Sequence, residues 1–184
     1  MHRNFHSIEI KGNISDRGLP ILVICNHVSW WDGIWALHVN QTLFHRKYFF
    51  MMLEEQLRKN WFLNYAGGYS IPGNSKGKLE SIKYTLKLLH NPDNLVLMFP
   101  QGEIESMHKQ HFSFKKGIAH ILQRLENDVQ VVFLVNITDY HANVKPTVYS
   151  FLDEYTGNHN LTEIEEKYNR FYLQCIAEQI KIKV

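Results

Sequence analysis

The amino-acid sequence predicts an α/β fold: a single domain with a mostly parallel, mixed β-sheet flanked by helices. Short, continuous apolar runs rich in β-branched residues recur along the chain, as fits strands buried on both faces. Helically spaced segments of about a dozen residues separate them, the alternation that builds parallel sheets. No internal repeat, low-complexity tract or long linker divides the 184 residues, a length that suits one core.

The elements follow in order. Leu19 to Cys25 is an apolar run bounded by Gly18 and Asn26 and reads as a buried strand. Gly33 to Val39 reads as a helix entered from Ser29. Lys47 to Leu53 is strand-like, and Glu54 to Tyr65 reads as one amphipathic helix ending at Gly67 and Gly68. Tyr69 to Ile71 is a strand fragment closed by Pro72 and Gly73, a turn signal. Lys76 to His90 is helical by spacing, with Leu79, Ile82, Leu86 and Leu89 on one face and Pro92 beyond its end.

Leu95 to Phe99 is a buried strand stopped by Pro100 and Gly102. Phe114 to Glu126 is a helix that turns Ile118, Ile121, Leu122 and Leu125 inward. Val129 to Ile137 and Thr147 to Leu152 are strands. From Leu161 to about Lys183 runs a long amphipathic helix carrying Ile164, Tyr168, Phe171, Tyr172, Cys175 and Ile176. The motif-bearing region is 19–137, and 146–183 supplies a last strand and helix.

Composition narrows the function classes. A hydrophobic fraction of 45% and a charged fraction of 21% exclude a disordered tail, a fibre and a disulfide scaffold. A net charge of +2 is too balanced to indicate nucleic-acid binding. Two cysteines, Cys25 and Cys175, fit a reduced, cytoplasmic setting. No apolar run reaches the roughly 20 residues of a membrane span, and the N-terminus lacks a signal-peptide core. Aromatics at 13% leave peripheral contact with the cytoplasmic membrane face open.

In an open parallel sheet the chemistry collects in loops leaving the carboxyl ends of strands. Two polar segments sit there. The first holds Asn26, His27, Ser29 and Asp32, directly after the first strong strand. On a continuous helix His27 and Asp32 would stand about 140° apart and could not pair. Ser29 and Asp32, however, have capping-box spacing, with Ser29 as N-cap and Asp32 at N3. His27 then lies in the loop before the helix, free to fold back so that Asp32 accepts from one ring nitrogen and the other serves as base. Alone, the same spacing also describes a routine helix start after a loop histidine.

The second segment is Phe99, Pro100, Gln101, Gly102, Glu103, Ile104, Glu105 and Ser106. Proline and glycine at a strand end shape a turn whose N–H groups can face an anion. Between the two lie Gly68, Tyr69, Ser70 and Ile71. His108 and His111 have metal-like spacing without a supporting cluster, so they read as surface histidines. Cys25 ends an apolar strand and reads as inert. His45 to Met52 reads as a buried strand with a basic lead-in, and Lys115 with Lys116 as a solvated helix face.

Together these segments resemble the glycerolipid acyltransferase family, which includes the 1-acylglycerol-3-phosphate acyltransferases. Asn26, His27 and Asp32 match its His-x4-Asp motif, whose pair is catalytic. Phe99 to Gly102 resembles its Phe-Pro-Glu-Gly block, Gly68 to Ile71 its intervening glycine block, and Val131 to Val135 its late apolar strand. The resemblance implies that His27 is the general base, oriented by Asp32, with no metal or resident cofactor. It implies substrate-binding roles for Asn26, Ser29, Gly68, Ser70 and Ile71, and for Phe99, Pro100, Gln101, Gly102 and Glu103.

Several positions depart from the family. Its block-two arginine falls at Gly73, with Lys76 and Lys78 nearby. Its motif glutamate becomes Gln101, its Thr-Arg becomes Glu103 and Ile104, and Phe133 stands where proline is usual. The implied partners are an acyl donor, either acyl-CoA or acyl-carrier protein, and a lipid acceptor, by default a lysophospholipid such as 1-acyl-glycerol-3-phosphate. The altered cations leave a non-phosphate glycolipid or aminolipid acceptor open, beside a hydrolase or a non-catalytic lipid-binding relative.

Overall fold

A computed structural model describes residues 4–72, 74–125 and 128–182. Its seven strands and five α-helices run β1 (Ile8–Lys11), β2 (Ile21–Cys25), α1 (Asp32–Val39), β3 (Lys47–Leu53), α2 (Glu54–Lys59), β4 (Gly68–Ile71), α3 (Ser75–Leu88), β5 (Asn94–Met98), α4 (Lys116–Leu122), β6 (Gln130–Asp139), β7 (Thr147–Tyr155) and α5 (Leu161–Gln179). All strands join one sheet in the order β1-β7-β6-β2-β5-β3-β4. Five neighbouring strands, β6 through β4, are parallel; β7 runs antiparallel to β6 and carries β1 beside it. The single α/β domain with a mixed, mostly parallel sheet is therefore what the chain forms.

Strand β2 shows why its residues are apolar throughout. Leu22 and Ile24 enter a core with Leu88, Ile118, Ile121, Tyr168 and Tyr172, from the side of α3, α4 and α5. Ile21, Val23 and Cys25 enter the opposite core with Ala36 and Val39 of α1 and Phe44. A strand buried on both faces gains about 1.5–3 kcal/mol from each large apolar side chain it removes from water. This middle position also fixes where the chain must exit: at the carboxyl edge, beside β5 and β6.

Several expectations need correction. Glu54 to Tyr65 is not one helix. α2 stops at Lys59, Asn60 leaves helical geometry with its side chain donating to the Gln56 carbonyl at 3.0 Å, and a 3₁₀ segment covers Trp61–Ala66. Leu79 is exposed rather than inward. The buried face of α3 carries Gly77, Ser81 and Thr85, and Ser81 Oγ donates to the Ser70 carbonyl at 2.9 Å. Small, hydroxylic residues let the helix sit close to β4, a contact that apolar spacing does not reveal. The helix placed at Phe114 begins at Lys116, and Glu126 lies outside the described residues.

β3 is only partly buried, because Phe49 to Met52 lie towards the short outer end of the sheet. The strands drawn at Val129 and Thr147 extend to Asp139 and Tyr155. α5 matches its expected apolar face, with Ile164, Tyr168, Tyr172 and Cys175 buried; Lys183 lies outside the described residues. β1 and a π-helical turn over Asn40–Phe44 are additions. That turn ends at His45, whose φ is 54°, and is tied by Asn40 hydrogen bonds to both the N–H and the carbonyl of Arg46.

Candidate functional site

The site forms where β2, β5 and β6 end together. Asn26, buried at the end of β2, continues the β2–β6 ladder with its side chain: Nδ2 donates to the Asn136 carbonyl at 2.9 Å and Oδ1 accepts from the Asn136 N–H at 2.8 Å. Asn136 in turn accepts from Ser150 Oγ at 2.8 Å. Polar groups buried here are thus paired rather than left costly. Asn26 anchors the point at which the chain leaves the sheet.

The next residues turn sharply onto α1. Asp32 Oδ2 accepts from the Val28 N–H and the Ser29 N–H, each at 2.7 Å, and lies 3.2 Å from His27 Nδ1. One carboxylate oxygen therefore closes the turn and aligns the imidazole. The carboxylate half of the expected capping box is present. Its hydroxyl half differs, because Ser29 Oγ accepts from the Trp31 N–H at 3.2 Å and the regular helix starts at Asp32. Tyr48 of β3 fixes that first turn by donating to the Gly33 carbonyl at 2.7 Å.

Asp32 is fully buried, and its Oδ1 has no hydrogen-bond partner among the described residues. Burial pushes its carboxyl above the usual range, opposed by the hydrogen bonds from His27, Ser29 and Val28. The His27 side chain keeps 21% exposure. With Nδ1 facing the carboxylate, Nε2 is the ring nitrogen that makes no hydrogen bond among the described residues. Phe99 stacks on the ring, centroids 4.0 Å apart and planes 13° apart.

The loop after β5 completes the site. Its turn closes with the Gly102 N–H donating to the Phe99 carbonyl at 3.1 Å, and Gly102 has a φ of 71°, where a side chain would be strained. Pro100 and Gln101 are buried; Gly102 and Glu103 are exposed. Glu103 pairs with Lys115 at 3.0 Å. Gln101 Oε1 accepts from the His27 N–H at 2.6 Å while its Nε2 donates to Glu105 Oε2 at 2.9 Å. Glu105 lies in the second polar segment, where the sequence assigned it no role of its own, and it joins the site through Gln101. Its local signal was a carboxylate four residues before Lys109, with which it pairs.

Asn26, His27, Ser29, Asp32, Phe99, Pro100 and Gln101 thus come together. Gly68, Ser70 and Ile71 do not join them. They lie on β4, separated from β2 by β5 and β3, so strand spacing alone sets them about 14 Å from the β2 end and about 10 Å from the β5 end. Gly73, where the family places a cation, lies outside the described residues; Lys76 and Lys78 are exposed. His108 and His111 are exposed as well, and no group of three or more potential metal ligands occurs among the described residues. The Cys25 thiol is pushed well up by burial and by the Asp32 charge, so it is no nucleophile.

Parallel strands whose carboxyl ends carry a buried aspartate, an aligned histidine and a glycine turn gather a candidate acid–base pair at one edge of the sheet. The model of the Acyltransferase family matches residues 7–139, and the chain belongs to that family, the glycerolipid acyltransferases. It is an O-acyltransferase. Among curated proteins, none matches the chain. No helix among the described residues is long and apolar enough to cross a membrane.

Proposed function

We propose that the protein transfers a fatty acyl group from acyl-CoA or acyl-carrier protein to a hydroxyl of a lysophospholipid, with 1-acyl-glycerol-3-phosphate as the default acceptor and His27 as general base. The observation that carries this is the 3.2 Å approach of His27 Nδ1 to a carboxylate already held by two backbone N–H groups. Nε2 takes the acceptor's hydroxyl proton as its oxygen attacks the thioester carbonyl carbon. The imidazolium that forms is stabilised by Asp32. Collapse of the tetrahedral intermediate breaks the C–S bond, and the proton on Nε2 passes to the departing thiolate.

Ser29 has no nucleophilic part, because its hydroxyl caps the turn. Backbone N–H groups next to Gly102, whose own N–H is taken by the Phe99 carbonyl, and in the first helix turn after Ser29 are the oxyanion donors in this scheme. Trp30, 51% exposed in the turn after His27, and Ile104, 53% exposed on the loop after β5, support peripheral contact with the cytoplasmic membrane face.

A second acceptor class has its own support. The β5 loop presents Glu103 and Ile104 where the family carries Thr-Arg, so the family's cation is missing there, which favours an uncharged glycolipid or an aminolipid over a phosphate. Labelled palmitoyl-CoA and palmitoyl-carrier protein, each offered to 1-acyl-glycerol-3-phosphate, other lysolipids and glycolipids, separate the classes. Product from 1-acyl-glycerol-3-phosphate supports the default; product only from uncharged or amino acceptors replaces it. Release of free palmitate without transfer would instead make the protein a hydrolase.

A further inference from the structure

The peptide of His27 is gripped on both sides by the loop leaving β5. Its N–H donates to Gln101 Oε1 at 2.6 Å, and its carbonyl accepts from the Glu105 N–H at 2.8 Å. Gln101 is buried, and only one orientation of its amide serves His27. With the oxygen towards His27, its nitrogen meets Glu105 Oε2 at 2.9 Å. A reversed amide would set N–H against N–H at His27 and oxygen against oxygen at Glu105, leaving buried polar groups unpaired. The Glu105 carboxylate therefore decides which end of Gln101 faces the histidine. Its other oxygen accepts from Lys109 Nζ.

On the acyl-transfer reading above, we propose that Glu105 is a positioning residue for the general base: through Gln101 it fixes the backbone of His27, and with it the ring that Asp32 and Phe99 align. The ring contacts to Asp32 and Phe99 act on a side chain whose root is held by the β5 loop. A shift of about 1 Å at a reacting group costs on the order of 100-fold in rate, so control of that root is control of the reaction. Lys109 is secondary, because its side chain is 51% exposed and such pairs contribute little.

Five variants test this in the full chain, each read by kcat, KM, unfolding midpoint and the proton shift of the His27 amide. Glu105→Ala lowers kcat about 10-fold with KM and midpoint little changed, and moves the His27 amide proton upfield as its hydrogen bond lengthens. Glu105→Gln keeps an acceptor for Gln101 and stays within about threefold of wild type. Gln101→Glu sets two carboxylates against each other, so kcat falls relative to wild type at pH 8, and the ratio to wild type at the same pH recovers as the pH drops and one carboxylate takes a proton. Combining Gln101→Glu with Glu105→Gln restores the donor–acceptor order and returns kcat to within about threefold of wild type. Lys109→Met changes kcat by less than about twofold.

The proposal is overturned if Glu105→Ala keeps wild-type kcat and His27 amide shift, if the double swap is as impaired as Gln101→Glu alone, or if kcat merely follows the folded fraction. Wild type compared with His27→Ala reports the base itself. Should wild type transfer no more than that variant, the general-base reading fails, while the His27 amide shift in Glu105→Ala still decides whether Glu105 holds the histidine.

Discussion

Phe99 lies flat against the imidazole of His27, with ring centroids 4.0 Å apart and an interplanar angle of 13°. The two residues end adjacent parallel strands, so the register of β2 on β5 sets the stack. It covers one face of the ring while Nδ1 lies 3.2 Å from Asp32 Oδ2. Replacing Phe99 with Leu removes the flat floor and keeps the bulk. The expected result is a kcat lowered about 10-fold at nearly unchanged KM, with stability reduced by about 1 kcal/mol. Steady-state kinetics and urea unfolding check it; equal kcat in both proteins would show that the stack is idle.

Asp32 sets function against stability. Burial raises its carboxyl above the ordinary 3.8. Between that unfolded-state value and the raised native one, the native state binds more protons, so this group's contribution to stability falls as pH rises through the window. Above the window, Asp32→Asn removes the cost of the buried charge and keeps an acceptor for the Val28 and Ser29 N–H groups. Its unfolding midpoint at pH 7 should equal or exceed that of wild type, while transfer drops about 10²–10⁴-fold because an amide cannot stabilise the imidazolium. A variant that is less stable yet active would contradict both halves.

Asn26 is expected to matter for folding before chemistry. Asn26→Ala leaves the Asn136 N–H and carbonyl without their side-chain partner in a buried layer. A loss of about 2–4 kcal/mol follows from two hydrogen bonds removed at buried groups. Chemical denaturation measures it, and a loss under about 0.5 kcal/mol, the range of an unremarkable surface change, would show that water replaces the amide.

Cys25 and Cys175 are both buried, and burial pushes both thiols up. Neither should react with a thiol reagent in the folded protein, and both should react once it is denatured. Cys25→Ala should keep transfer within about threefold of wild type, since the thiol has no chemical role. Rapid inactivation by the reagent, protected by acyl donor, would return Cys25 to the mechanism.

Trp30 provides the check on membrane contact. Wild type should co-sediment with anionic phospholipid vesicles, and Trp30→Ser should shift the partition to solution while kcat on a soluble short-chain acceptor holds. Equal partition of the two proteins would move the contact elsewhere on the surface.

How much of this was legible in the sequence depends on distance along the chain. The strands at Leu19, Leu95 and Val129 were readable because burial on both faces leaves an unbroken apolar run. The pairing of His27 with Asp32 was readable because both lie within one turn, announced by Ser29. β1 was overlooked although Ile8 and Ile10 alternate with Glu9 and Lys11, a period-two signal in only four residues. The break at Asn60 and the hydroxyl face of α3 depend on side chains bonding to backbone, which apolar periodicity does not register. Gln101 could be seen as a departure from the family block. That its amide grips the His27 peptide could not, because the two residues are 74 positions apart and the orientation is set by Glu105.

The most direct test of the account is the transfer rate of His27→Ala against wild type, using labelled palmitoyl thioester and the best acceptor from the panel, with both proteins shown to be folded. The account predicts a fall of at least about 100-fold, as loss of a general base requires, with KM for the donor little changed. Equal rates in the two proteins would contradict it and remove His27, and with it the Asp32 pairing, from the chemistry.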